Sequence, residues 1–135
     1  MRAVLCFLIL FMASNSWSID RNVIGEKAGQ YLRTVDIMEK IQYSRCSYLV
    51  NTKYSFKETL SEVLLYMNTS ERSQISMFIQ NGAFSNSLPF IENIFQGFIK
   101  DGRDEKSACG LVVGMVSSEF SSARKEWNAI KSSLE

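Results

Sequence analysis

The chain is predicted to fold as an all-α, single-domain bundle of about five helices, with long first and last helices antiparallel and joined by a disulfide. Three observations lead there. Residues 104–134 contain no proline and carry Cys109, Val112, Val116, Phe120, Ala123, Trp127, Ile130 and Leu134 at steps of three and four, which places them on one face of one long helix. The short alternating segments and tight glycine turns of β-hairpins do not occur. Once the N-terminal segment is removed, only Cys46 and Cys109 remain, and an oxidising compartment joins such a pair.

The N-terminal segment itself opens with Arg2, continues as an uninterrupted apolar run from position 3 to 13, and then turns to Ser14, Ser16 and Ser18. A run of eleven residues is too short to anchor in a bilayer. Residues 1–18 therefore read as a cleaved secretory signal peptide and 19–135 as the helical domain. The expected location is outside the cytoplasm, periplasmic if the host is bacterial and secreted otherwise. No membrane span is expected after cleavage. Cleavage removes Cys6 and Arg2 and leaves 14 basic and 14 acidic residues. A neutral surface with no basic tract argues against a nucleic-acid partner and against attraction to anionic lipid.

The first helix is predicted over residues 22–50. Ile24, Ala28, Tyr31, Val35, Met38, Cys46 and Leu49 share one face, and Ile37, Ile41 and Tyr48 form a second strip, so two neighbours are expected. Cys46 near the end of this helix and Cys109 near the start of the last one require the two helices to run antiparallel. The bond closes a loop of 64 residues, which on chain entropy stabilises the fold by about 4 kcal/mol.

Three shorter helices fill the interval. Ser55-Phe56-Lys57-Glu58 has the form of a capping box and opens a helix to position 67. Asn68 or Thr69 caps the next, with Ile75, Phe78 and Ile79 as its apolar face and Asn81-Gly82 as its left-handed stop. Asn68-Thr69-Ser70 also matches the N-glycosylation sequon. Ser87 or Leu88, with Pro89 in the first turn, starts a fourth helix that Asp101-Gly102 ends.

Two features of the last helix ask for neighbours. Residues 108–116 are apolar on several sides, with Leu111 and Met115 off the main stripe, so this half is expected to be the buried axis of the fold. Gly110, Gly114, Ser117 and Ser121 form a strip of small residues. Each glycine costs a helix about 1 kcal/mol relative to alanine, so close approach of another helix is expected there, with a ligand cleft as the alternative.

Catalytic constellations are scarce. The chain contains 0 histidines, which removes the usual general base, the usual activator of a serine or cysteine nucleophile, and a common transition-metal ligand. Asp101, Asp104 and Glu105 sit where caps belong and lack calcium-loop spacing. The expectation is a non-enzymatic protein with no cofactor and no metal.

The fourth helix is the most informative surface. Leu88, Phe90, Ile91, Ile94, Phe95, Phe98 and Ile99 spread over roughly 180° of the helical wheel, against roughly 100° for docking on one surface. The excess is covered either by a groove between two helices or by a partner, since exposed aromatic patches mark contact sites. Phe90, Phe95 and Phe98, extended by Leu65 and Met77, are the candidate partner-binding residues. The function expected is binding of a protein partner, of the inhibitor, immunity-protein or assembly-chaperone type. The alternative is a carrier of a small apolar ligand.

Ala108-Cys109, followed by the charged stretch Ser122-Ala123-Arg124-Lys125-Glu126-Trp127-Asn128-Ala129-Ile130-Lys131, resembles the small acid-stress periplasmic chaperones over about a fifth of the chain. The resemblance implies an exported helical protein with one disulfide. The cysteines here stand further apart than in that family.

Overall fold

A computed structural model describes residues 20–135. The signal-peptide reading of residues 1–18 lies outside the described residues. Among the described residues are five α-helices and no strand: α1 (Arg21–Ile41), α2 (Phe56–Leu64), α3 (Thr69–Gln80), α4 (Ser87–Lys100) and α5 (Glu105–Leu134), with a short 3₁₀ turn at Ser47–Leu49. No helix among these residues is long and apolar enough to cross a membrane.

The long helices α1 and α5 pack most closely and run antiparallel. Their contacts descend one helix as they climb the other. The Cys46–Cys109 disulfide closes one end, with 5.2 Å between Cα atoms. Met38 meets Ser117 next, then Tyr31 stacks on Phe120 and Trp127 at 6.2 and 6.4 Å between ring centres, and Lys27 pairs with Glu126 at 2.8 Å. The apolar stripe of α5 is buried at Cys109, Val112, Val116, Phe120 and Trp127, as its spacing requires.

The core falls into two clusters along this pair. One surrounds the disulfide and joins Val35, Met38 and Ile41 of α1 to Val112 and Val116 of α5 and to Ile91 and Phe95 of α4. The other surrounds Trp127 and gathers Ile24, Ala28 and Leu32 of α1, Val63 of α2, Met67 in the segment after it, and Ile75 of α3. Tyr31 touches both. A buried polar pair ties α4 to α1, Ser87 donating to the carboxylate of Asp36, which Lys40 faces at 3.8 Å.

Helix ends follow local chemistry. Asn81-Gly82 and Asp101-Gly102 both form Schellman stops: Gly82 and Gly102 have φ of 77° and 90°, and Ala83 N–H bonds Phe78 O at 2.9 Å as Arg103 N–H bonds Phe98 O at 3.1 Å. Asp104 caps α5, accepting from Ser107 N–H at 2.7 Å. At Ser55 only the forward half of the expected capping box forms, Glu58 N–H to Ser55 Oγ at 3.3 Å. The reciprocal box stands instead at Asn68 and Glu71.

The first helix is shorter than its apolar pattern predicts, ending at Ile41 rather than near position 50. Ser44 competes for the backbone there, its hydroxyl donating to Ile41 O at 2.7 Å and accepting from Cys46 N–H at 3.2 Å, and the chain tightens into successive turns. Cys46 is therefore delivered to α5 by a turn, and Tyr48 and Leu49 are exposed. In the same way α2 stops at Leu64, short of 67, and Arg72 Nε donates to Leu64 O and Met67 O at 3.0 and 3.1 Å.

The α5 helix is not a buried axis. Packed neighbours α1 and α4 cover one side, leaving Leu111 and Met115 exposed on the other. The small strip Gly110, Gly114, Ser117 and Ser121 also lies off the packed side. A Cβ built on Gly110 or Gly114 meets nothing within 4 Å, and of the four only Ser117 reaches a core residue, Met38. No helix among the described residues approaches closely, so the close-packing expectation for this strip does not hold.

Two stability measurements follow. Replacing Cys46 and Cys109 together by serine is expected to lower the unfolding free energy by about 4 kcal/mol or somewhat less, read by chemical denaturation. Gly114→Ala, with open space at its Cβ, is expected to raise it by about 0.5–1 kcal/mol through helix propensity. A loss of stability in the second variant would show an unseen close neighbour.

Candidate functional site

The α4 helix lies in the groove between α1 and α5, and this covers most of its wide apolar arc. Ile91 and Phe95 enter the core, and Ile94, Phe98 and Ile99 pack half-buried against the same cluster. Arg45 covers the last of the Phe95 ring, its guanidinium 4.5 Å from the ring centre, held by Glu92 at 2.8 Å and facing Glu105 at 3.9 Å. Phe95 is only 2% exposed, so it is a core residue and not the contact residue expected of it. Phe98 is half-buried. Phe90 remains at the surface, 38% exposed, beside Leu88.

The α3 helix presents the larger uncovered apolar surface. Only Glu71 and Ile75 of its residues are buried. Phe78 and Ile79, expected to face the core with Ile75, are exposed, and with Met77 they form one apolar turn directed at solvent. Met77 and Phe78 are both 57% exposed, and Leu65 in the turn after α2 reaches 75%.

Two clefts follow one flank of α1. The smaller, about 220 Å³, is bordered by Arg33 and Ile37 of α1, Ala83, and Ser87 and Phe90 of α4. The larger, about 410 Å³, lies between the first half of α1 and α3. Its apolar lining is Leu32, Ile75, Phe78 and Phe84, and its polar end is Arg21, Asn68 and Glu71. On the α1 side Gly25 and Gly29 contribute no side chains, and a Cβ at either position meets nothing within 4 Å. Phe90 and Phe78 thus stand at the two clefts, with the turn at Ala83 and Phe84 between them in sequence. Leu65 and Met77 line neither.

The polar end is built around one carboxylate. Glu71 Oε1 accepts from the Arg21 guanidinium and from Asn68 N–H at 2.8 Å, while Asn68 Oδ1 accepts from Glu71 N–H at 2.9 Å. Arg21 also donates to Tyr66 O at 3.3 Å. The other oxygen, Glu71 Oε2, is buried and has no hydrogen-bond partner among the described residues. Burial pushes the Glu71 carboxyl up, but the hydrogen bonds from Arg21 and Asn68 and the Arg21 charge outweigh it and hold the group below its ordinary range.

Sequence reasoning placed Phe90, Leu65 and Met77 at the surface and missed this cleft. Its signal was present in Gly25 and Gly29, four residues apart inside a helix with no turn to explain them. Arg21 and Glu71 are ordinary surface types separated by 50 positions, and nothing local pairs them.

No protein-family model matches this chain, and no curated protein or solved structure matches it.

The lowered Glu71 group makes the attachment of α3 pH-dependent with a definite sign. Its contribution is present above the carboxyl range of the unfolded chain and is lost as pH falls through the lower folded value. The melting temperature of Glu71→Gln is therefore expected to fall less than that of the wild type between neutral pH and about pH 3. Equal losses in the two proteins would show that the Arg21–Glu71 pair does not hold the helix.

Proposed function

We propose that this is an exported, non-enzymatic protein that binds a partner protein through the segment between its two long helices. The observation that carries this reading is the concentration of exposed apolar side chains there: Met77, Phe78 and Ile79 in the last turns of α3, and Leu88 and Phe90 at the start of α4. Exposed apolar groups so close in sequence, at helix ends and beside clefts, are what a docking surface needs. Inhibitor, immunity-protein and assembly-chaperone roles all use such a surface. The disulfide is compatible with residence in an oxidising compartment, periplasmic or extracellular.

Phe90→Asp and Met77→Asp separate this reading from mere surface exposure. Met77 is 57% exposed, so Met77→Asp is expected to change stability by no more than about 0.5 kcal/mol, whereas Phe90, 38% exposed, gives up some packing and Phe90→Asp is expected to cost about 1 kcal/mol while the protein stays folded. Capture of the partner from the native host by immobilised protein is expected to be lost in both variants, and a photoreactive residue at position 90 to cross-link to it in the wild-type background. Retained capture by both variants, with both folded, would place the partner elsewhere.

A further inference from the structure

We propose that the loop from Val50 to Ser55 is a substrate-like binding loop for a trypsin-type serine protease, with Lys53 as the side chain that enters the protease's acidic specificity pocket. The proposal deepens the inhibitor form of the reading above, resting on partner binding but on a surface apart from Met77 and Phe90.

The loop is exposed in its middle and fixed at both ends. Val50 packs against the core cluster around the disulfide, one 3₁₀ turn after the buried Cys46. Tyr54 is half-buried, its ring edge-on to Phe120 at 5.1 Å and its carbonyl accepting from Gln42 Nε2 at 3.2 Å. Between them Asn51, Thr52 and Lys53 are exposed, and their backbone N–H and C=O groups make no hydrogen bond among the described residues. The flanks are extended, with φ and ψ of −115° and 109° at Val50 and −127° and 111° at Ser55. A protease reads its substrate in this form, as an extended strand whose free backbone groups pair with the edge of the cleft. A loop already held that way loses little freedom on binding.

Charge selects the class of protease. Residues 40–57 contain Lys40, Arg45, Lys53 and Lys57 and no acidic residue. Lys40 faces Asp36 and Glu39, and Arg45 is taken by Glu92 and Glu105, whereas Lys53 pairs with no acid among the described residues. A lysine so placed at the crown of the loop fits a pocket with a carboxylate at its base, the feature that sets trypsin-type specificity. Tyr48 and Leu49, both exposed, flank the loop and supply apolar contact beside it.

Lys53–Tyr54 is then the bond presented for cleavage. Attack of the protease serine oxygen on the Lys53 carbonyl carbon breaks the bond to the Tyr54 nitrogen, which takes the serine's proton. Because Phe120 and Gln42 keep Tyr54 in place and the disulfide cluster keeps Val50, the new amine stays beside the acyl group. It re-forms the peptide and returns the proton to the serine, so the loop occupies the active site without being consumed.

The test titrates trypsin with the oxidised protein, follows hydrolysis of a small chromogenic lysine substrate, and weighs the protein afterwards by mass spectrometry. Wild type is expected to inhibit with a constant of about 1 μM or below and to remain largely intact. Lys53→Arg is expected to inhibit as the wild type does, and Lys53→Ala to raise the inhibition constant by about thirtyfold or more. Lys53 is exposed, so both variants are expected to keep the wild-type melt. No inhibition by folded wild type, equal inhibition by Lys53→Ala, or rapid and complete hydrolysis after Lys53, which would make the chain a plain substrate, would each overturn the proposal. Capture of a host partner by a chain that gives any of these results would leave partner binding standing, so the two readings fail separately.

Discussion

Everything in this fold depends on the antiparallel pairing of α1 and α5 and on the covalent clip at one end of it. The disulfide fixes which end of α1 meets which end of α5, and the stack of Tyr31 between Phe120 and Trp127 carries the register further along the pair. A bundle of this size buries a limited core, so closing a long loop, which removes much of the unfolded chain's freedom, adds stability that the core alone does not supply. Both hydrophobic clusters are built on this pair, and each intervening helix is stable only to the extent that it docks on it.

The intervening helices dock unequally, and this bears on function. The α4 helix places Ile91 and Phe95 in the disulfide cluster and is tied by Ser87 to Asp36, so its surface is largely spent on stability. The α3 helix buries one apolar side chain, Ile75, and one carboxylate, Glu71, and leaves Phe78 in solvent. Its attachment rests on a salt bridge and a capping box, interactions that are modest and pH-dependent beside apolar burial. Elements attached in this way open at low free energy, and binding surfaces are drawn from them. The exposed turn at 77–79 and the cleft beside Gly25 and Gly29 both belong to this loosely held side of the bundle.

Local rules were most reliable where a few adjacent residues decide the outcome. Gly82 and Gly102 stop their helices because a left-handed residue is needed at each and only glycine takes it without cost. Asp104 and Asn68 cap because their side chains reach a backbone N–H three positions on. Periodicity alone overreached at Ser44, where apolar spacing continues through Cys46 but a hydroxyl takes the backbone bonds that another helical turn would use. It overreached again at Phe78 and Ile79, since an apolar face announces what could be buried without showing that a partner is there to bury it.

The sequence by itself determined the helical class, the caps at Ser55, Asn68 and Asp104, the glycine stops at Gly82 and Gly102, the cysteine pair and the stripe of α5 that faces α1, because each depends on neighbours a few positions apart or on two cysteines with no other choice. Only the tertiary structure decided which sides of those helices are covered. Gly114 and Gly29 look alike in sequence, as helical glycines facing no close atom, yet one lies on an outer surface and the other in the wall of a cleft. Arg21 meets Glu71, and Arg45 lies over Phe95, across 50 positions in each case. Such pairs arise when packed helices bring distant side chains together, and no spacing along the chain encodes them.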